Sequence, residues 1–432
     1  MKTVIKNVLL GSVAGLAMVG TAAAADLPVK AKAAEYVKVC SAYGAGFYYI
    51  PGTDTCLKVG GYVTADVYYT DVKFTERLNG FDTGAVDPDG ESYFQTRAAI
   101  QLDARTQTEY GTLRSYIEAR FEYGESYGFG QNANTGDAGL VFSDNSINDA
   151  YLKFGYIQFA GFTFGKATSA FDFWAGDGWL GIEPGNYYSD VTPNLVSYTA
   201  DFGNGFSATI SLEDAYARES NIDNYIILDG QQVPDIVANI AYEGSWGAFK
   251  VSGAYHNNGD YGILPYGGDA ELDPWYVTGS DDGWAVLAGV RFDIAETTTL
   301  YVEGTYAKGA SGYLGLASTL PNVDFYGDAV GGWYIGGALI HYWTPTVFTG
   351  VVGSYTESDS FSTGFFDSAS FSGYNVGVNI GWQPVKGLTL ALQYDYLNAD
   401  WDYAGGTTFE DFYTASTTAD QNRIMFSAKR SF

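Results

Sequence analysis

Beyond its first two dozen residues the chain has no apolar run near the roughly 20 residues that a membrane-spanning helix needs. Basic residues are scarce as well: 22 Lys and Arg stand against 50 Asp and Glu, which argues against a nucleic-acid partner. There are only two histidines, His256 and His341, in different predicted strands, and no Gly-x-Ser-x-Gly elbow. The nucleophile-and-base pairing of a hydrolase therefore has little to be built from, and no catalytic residue is assigned. No sequence unit repeats, which excludes a propeller or a solenoid. The two cysteines, Cys40 and Cys56, have no nearby histidine and make a poor metal site, so neither a metal nor any other cofactor is expected. In an oxidising compartment they predict a disulfide instead. Closing so short a loop contributes about 3 kcal/mol on the chain-entropy account and would pin Tyr43 to Pro51 as a compact unit.

The N-terminus supplies the compartment. Lys2 and Lys6 precede an apolar run from Val8 to Gly20 and then Thr21, Ala22, Ala23, Ala24 and Ala25, the pattern of a secretory signal peptide over residues 1–24. Its removal leaves 20 basic against 50 acidic residues, a net charge of −30. An exported chain that is 46% hydrophobic and has no spanning helix enters a bilayer only as a closed barrel, in which strand pairing satisfies every backbone group. The outer membrane of a Gram-negative cell is the implied home, with its lipid and lipopolysaccharide as neighbours.

The hairpin from Ser92 to Glu122 has the matching period of two. Phe94, Thr96, Ala98, Ile100, Leu102 and Ala104 fall on one side, and Gln95, Arg97, Gln101, Asp103 and Arg105 on the other. After the turn at Glu109, Tyr110 and Gly111, Leu113, Ile117, Ala119 and Phe121 oppose Arg114, Tyr116, Glu118, Arg120 and Glu122. Such a division fits a barrel that is apolar toward lipid and wet within. The same rhythm predicts strands at 57–71, 92–108, 112–123, 146–157, 162–168, 194–202, 206–214, 235–243, 248–256, 283–293, 298–308, 330–342, 346–355, 370–382, 387–397 and 420–432. The fold expected is all-β, a transmembrane antiparallel barrel of 16 strands over residues 57–432, preceded by a periplasmic segment at 25–56. Short turns at Gly203–Gly205, Gly244–Gly247, Trp343–Thr346 and Gln383–Gly387 alternate with long polar loops, as periplasmic and extracellular connections do.

Aromatic residues, 17% of the chain, fit girdles at the two lipid interfaces, with an aromatic slide for sugars inside the pore as the other reading. The acidic loops, among them Asp214, Glu219, Asp223 and Asp229, read as solvated, or as bridged by divalent cations to anionic lipid. Phe432 closes an alternating last strand, which is an assembly signal for outer-membrane barrels, a final girdle residue, or both. A sixteen-strand barrel holds an aqueous channel unless something narrows it. The candidate is 167–194, where Phe171, Trp174, Trp179 and Leu180 can anchor a loop to the inner wall and Asp172, Asp177, Glu183 and Asp190 supply charge. Facing Arg97, Arg105, Arg114 and Arg120, these acids would set up a transverse field at a constriction. The blander reading pairs Arg97 or Arg120 with Glu122, Asp103 or Glu118 on their own hairpin. Position along the strands favours Arg97 and Arg120 for the constriction over Arg105 and Arg114, which lie close to the turn.

The stretch Glu35-Tyr36-Val37-Lys38-Val39-Cys40, followed by Tyr43-Gly44-Ala45-Gly46-Phe47-Tyr48-Tyr49-Ile50-Pro51-Gly52-Thr53-Asp54-Thr55-Cys56-Leu57, resembles the start of alphaproteobacterial, Rhizobiales-type porins. Length, acidic loops, the hairpin and Phe432 extend the likeness across the chain. The resemblance implies a homotrimeric general diffusion porin with an inward-folded third extracellular loop, inserted by the outer-membrane assembly machinery. The alternatives are a porin selective for a sugar or ion, and an outer-membrane barrel enzyme. Cleavage after Ala24 would expose Ala25 and Asp26, a start similar to that by which some barrels of this group are attached to peptidoglycan, though it is equally an ordinary cleavage site.

Overall fold

A computed structural model describes residues 38–86, 89–132, 137–175, 188–219, 226–228, 232–259, 261–263, 275–277, 281–317, 319–324, 326–363, 366–405 and 414–432. The signal segment, Ala25 and Asp26 lie outside the described residues. Sixteen strands form one closed antiparallel ring, labelled in chain order. The first eight are β1 (Cys56–Leu78), β2 (Glu91–Thr108), β3 (Gly111–Asn132), β4 (Asp137–Phe159), β5 (Phe162–Lys166), β6 (Asn194–Gly203), β7 (Phe206–Glu213) and β8 (Asp235–Gly244). The rest are β9 (Gly247–His256), β10 (Gly283–Ile294), β11 (Thr298–Lys308), β12 (Gly331–Thr344), β13 (Val347–Ser358), β14 (Ser368–Val385), β15 (Leu388–Ala404) and β16 (Thr414–Ser431). Each pairs with the next, and β16 closes on β1 from Tyr62↔Ser431 to Leu78↔Ala415, so the ring has no free edge. Phe432 completes the seam by exchanging backbone hydrogen bonds with Gly61.

All sixteen strands expected from the alternation are present. Large apolar residues of alternate positions, such as Phe94, Ile100, Ile117 and Phe121, are exposed on the outside, which only a lipid environment reconciles with burial of Asp103, Glu118 and Arg120 inside. The short connections follow from local chemistry. Asn204 and Gly205 both take positive φ, 53° and 86°, as a two-residue primed hairpin turn requires.

Several strands run past the predicted ends on the side of the long loops. β1 continues to Leu78 and pairs there with an extra strand at Phe81–Val86, and β3 and β4 extend to Asn132 and from Asp137. Outside the bilayer neither face needs to be apolar, so the alternation fades while backbone pairing continues. A small sheet of residues 226–228, 261–263 and 275–277 also joins the fourth and fifth long connections.

The lumen holds an apolar cluster. Segment 309–330, between β11 and β12, contributes Tyr313, Leu314, Leu316 and Leu320, all at most 1% exposed, and meets Phe171 from the connection between β5 and β6. The Phe171 and Tyr313 rings sit edge to face at 4.6 Å. At Gly315, with φ 72°, a side-chain carbon would stand 2.4 Å from the Tyr188 carbonyl oxygen, so backbone conformation and close approach both require glycine. The Cys40–Cys56 disulfide is formed, and with Phe47 it makes a small buried cluster beside the start of β1.

Candidate functional site

The inward residues of the β2–β3 hairpin form an ion-paired lattice set by strand register, in which Arg97 faces Glu122, Ala99 faces Arg120, and Gln101 faces Glu118. Arg97 pairs with Glu122, which also accepts the Tyr151 hydroxyl at 2.7 Å. Arg120 lies 2.7 Å from Glu118, which accepts Gln101 Nε2 at 2.8 Å. Arg105 and Arg114 share Asp103 at 2.7 and 3.0 Å, and Arg114 donates to Gln158 at 2.9 Å. Each guanidinium thus has a carboxylate on its own hairpin.

Exposure and position separate the four. The Arg97 side chain keeps 18% of its surface, whereas that of Arg120 keeps 4% and is sealed from solutes. Eight residues separate Arg97 from Arg105, about 27 Å along a strand at roughly 3.4 Å per residue. Arg105 therefore lies near the short turn at Glu109–Tyr110, where the Phe47 and Tyr43 rings of the disulfide loop cover it at 5.0 and 5.8 Å.

Lys429, on the inward face of β16 with Arg423, Met425 and Ser427, joins Arg97. Thr64 of β1 is in register with Arg97 on one side and Lys429 of β16 on the other, which sets both cations in one row across three strands. Lys429 Nζ sits 4.4 Å above the Tyr62 ring, and farther along β16 Arg423 stands 3.6 Å from Asp395. A recess of about 30 Å³, room for water alone, opens beside Thr64, Asp66, Arg97, Glu122 and Lys429.

The described ends of the connection from β5 to β6, Ala167–Ala175 and Tyr188–Pro193, lie against inward side chains of the other side of the ring. Ser169 Oγ donates to Glu213 at 2.6 Å, the Trp174 amide to Glu303 at 3.1 Å, and Asn239 Nδ2 to the Ala170 carbonyl at 2.6 Å. Lys250 Nζ reaches the Asp172 carbonyl at 2.6 Å, and Trp174 is stacked between Tyr188 and Tyr301. The strands that make these contacts, β7, β8, β9 and β11, lie around the ring away from β2 and β3.

Asp172 is turned to a partner other than the hairpin arginines. It is buried, accepts hydrogen bonds from the Ser189 hydroxyl and from the Val191 amide at 2.8 Å, and stands 3.1 Å from Arg218 Nη2. Burial demands that so enclosed a carboxylate find a cation at contact distance, and Arg218 is that cation. Asp190 is half-buried within electrostatic reach of Glu303. Asp177 and Glu183 lie outside the described residues.

Arg218 comes from the turn Ala215–Arg218 in the next long connection and links the loops. It donates to Ser189 Oγ at 2.8 Å and to the Gly312 carbonyl at 3.1 Å, and it lies 3.9 Å over the Tyr313 ring. Burial works against its charge, yet Asp172, Tyr313, Glu213 and Asp235 together raise its pKa above the usual guanidinium value. Burial also raises the Tyr313 phenol well above its ordinary value, against the pull of Arg218. No feature of the local sequence around Arg218 marks it, because its partners Asp172, Ser189, Gly312 and Tyr313 come from connections dozens of residues away.

A sequence profile described as the porin subfamily matches residues 26–426. The chain belongs to that family. Porin Omp2a of Brucella ovis is 32% identical over 345 residues, covering 77% of this chain and 84% of the relative. Porin Omp2b of Brucella suis biovar 1 is 33% identical over 351 residues, covering 78% and 80%. Among solved structures, the outer membrane channel DcaP of Acinetobacter baumannii has a similar fold, with a TM-score of 0.58 at 16% identity over 89% of this chain and 99% of that one. A porin with a closed 16-strand barrel belongs in the outer membrane, and the ring of strands around a charged lumen is the arrangement expected there.

Proposed function

We propose that this porin is a general diffusion channel, passing small hydrophilic solutes and ions passively across the outer membrane. The observation that carries this reading is the closed ring whose outer face is apolar and whose inner face holds Arg97, Glu122, Lys429 and Asp66 around water-accessible space. The β5–β6 connection acts as the constriction loop, anchored to the far wall, while Arg97 and Lys429 form the positive side of the passage. Solutes orient their charges and dipoles between these cations and the carboxylates of the far side, and apolar solutes are disfavoured because they shed water without a partner. Arg105 and Arg114 belong to the periplasmic vestibule, and Arg120 supports the wall. Planar-bilayer recording tests the reading: discrete conductance steps and a defined reversal potential in a salt gradient are expected, and insertion without steps would refute it.

The working unit is a homotrimer, in keeping with the family, and a mass measurement in mild detergent that returned only single chains would overturn this. Enzymatic chemistry has no support in the histidines. His256 is 1% exposed, with its ring held between Asp235 at Nδ1 and the Asn322 amide at Nε2 rather than a nucleophile hydroxyl. His341 Nδ1 is engaged by Thr298 Oγ1 at 2.8 Å.

A further inference from the structure

The described residues of segment 309–330 occupy the lumen, and one of the contacts that fix them depends on a single proton. His256 ends β9, with Nδ1 2.8 Å from Asp235 Oδ1 and Nε2 3.0 Å from Asn322 Nδ2. The orientation of Asn322 follows from its other bond, because its Oδ1 accepts the Ser311 backbone N–H at 2.8 Å. With the amide oxygen committed, the Asn322 NH₂ group faces the imidazole. Nε2 must then be the unprotonated acceptor, and the ring hydrogen sits on Nδ1, donated to Asp235. The second Asp235 oxygen accepts the Tyr313 hydroxyl at 2.6 Å. Segment 309–330 is thereby tied to β8 and β9 through Tyr313 and Asn322.

A second proton on the ring would set N–H against NH₂ at that Asn322 contact. Rotating Asn322 to offer its oxygen would strip the buried Ser311 amide of its acceptor, so either response leaves a buried donor unsatisfied. The groups facing the ring are Asp235 from β8, Tyr313 from the segment itself, and Glu219 from the connection after β7, while Arg218 of that connection lies over the Tyr313 ring.

We propose that Asp235, His256 and Asn322 form a proton-released latch that holds segment 309–330 within the barrel when His256 is neutral and frees it on acidification, widening the passage. The proposal rests on the channel reading for its consequence, but the latch itself is a property of the fold.

Single-channel recording of the purified protein between about pH 7.5 and about pH 5, the range in which histidine changes charge, tests it. Occupancy of a larger-conductance substate should rise about tenfold on acidification, the equivalent of one buried hydrogen bond lost. His256→Gln should abolish the dependence. Asn322→Asp should also remove or invert it, since a carboxylate accepts both the charged ring's Nε2–H and the Ser311 amide. Amide exchange at Ser311, corrected for the intrinsic pH dependence, follows the latch without any current and should accelerate in acid. A wild-type protein without acid dependence in either readout overturns the latch, as does either variant responding like wild type. Absence of conductance with Ser311 exchange still acid-dependent overturns the channel reading and leaves the latch standing.

Discussion

Arg218→Met provides the most demanding test of the loop assembly in the lumen. The Arg218 side chain is 1% exposed, 3.1 Å from Asp172, whose own side chain is 0% exposed. Methionine of similar length keeps the packing on Tyr313 and removes the charge, leaving Asp172, among the described residues, with only the Ser189 hydroxyl and the Val191 amide. Removing one partner of a buried ion pair costs about 3–5 kcal/mol, because the other charge stays desolvated. Loss of the donations to Ser189 and Gly312 puts this substitution toward the upper part of that range. The barrel strands make none of these bonds, so the cost falls on opening of the loops rather than on the ring. Native-state hydrogen exchange of the Val191 amide reads that opening directly. At 1.4 kcal/mol per tenfold, its protection should fall by roughly 10² to 10³·⁵, while amides of β14 and β15 keep theirs. Adding Asp172→Asn removes the orphaned charge and should restore most of the loss, the coupling expected of residues in contact. A fall of less than about tenfold, or a double variant no better than Arg218→Met, would refute the assignment of Arg218 as the link between the loops.

Other expectations bear on the passage, the seam and the periplasmic face. Replacing Arg97 and Lys429 together by Ala should move the reversal potential toward cations, and an unchanged potential would remove this row from the constriction. Replacing Cys40 and Cys56 by Ser should cost the disulfide cluster about 3 kcal/mol, read as earlier proteolysis near Tyr43–Pro51 with the barrel intact. Gly61→Ala should slow folding in detergent, since its side-chain carbon would stand 2.2 Å from the Ala99 carbonyl oxygen at the β1–β2 pairing beside the closing seam; normal assembly kinetics would contradict this. If the Ala25-Asp26 start is joined to peptidoglycan, muramidase digestion leaves a sugar-peptide fragment on the Ala25 peptide, and an unmodified peptide rules the attachment out.

The hairpin from Ser92 to Glu122 shows how far pattern reading reaches. Its two faces were legible because strand side chains alternate strictly and lipid excludes charge from the outward face within the apolar band. The pairing of its arginines within the hairpin was legible as one of two readings, since Arg97 and Glu122 are near neighbours across a single turn. The place of Lys429 in the same row as Arg97 depends on closure of the ring, which joins residues more than 300 positions apart. The strand extensions at Leu78 and Asn132 left no trace because pairing outside the bilayer does not require an apolar face.

The sequence by itself determined the barrel, its sixteen strands, the wet interior and the disulfide, because each follows from period-two alternation, turn chemistry or cysteine spacing within a short window. Only the tertiary structure decided what fills the lumen. Asp172 meets Arg218 rather than the hairpin, and His256 holds segment 309–330 through Asn322. Those contacts join connections that carry no periodicity, and their partners are chosen by burial: a charge or ring nitrogen enclosed in the lumen must be satisfied by whichever loop the closed ring brings beside it.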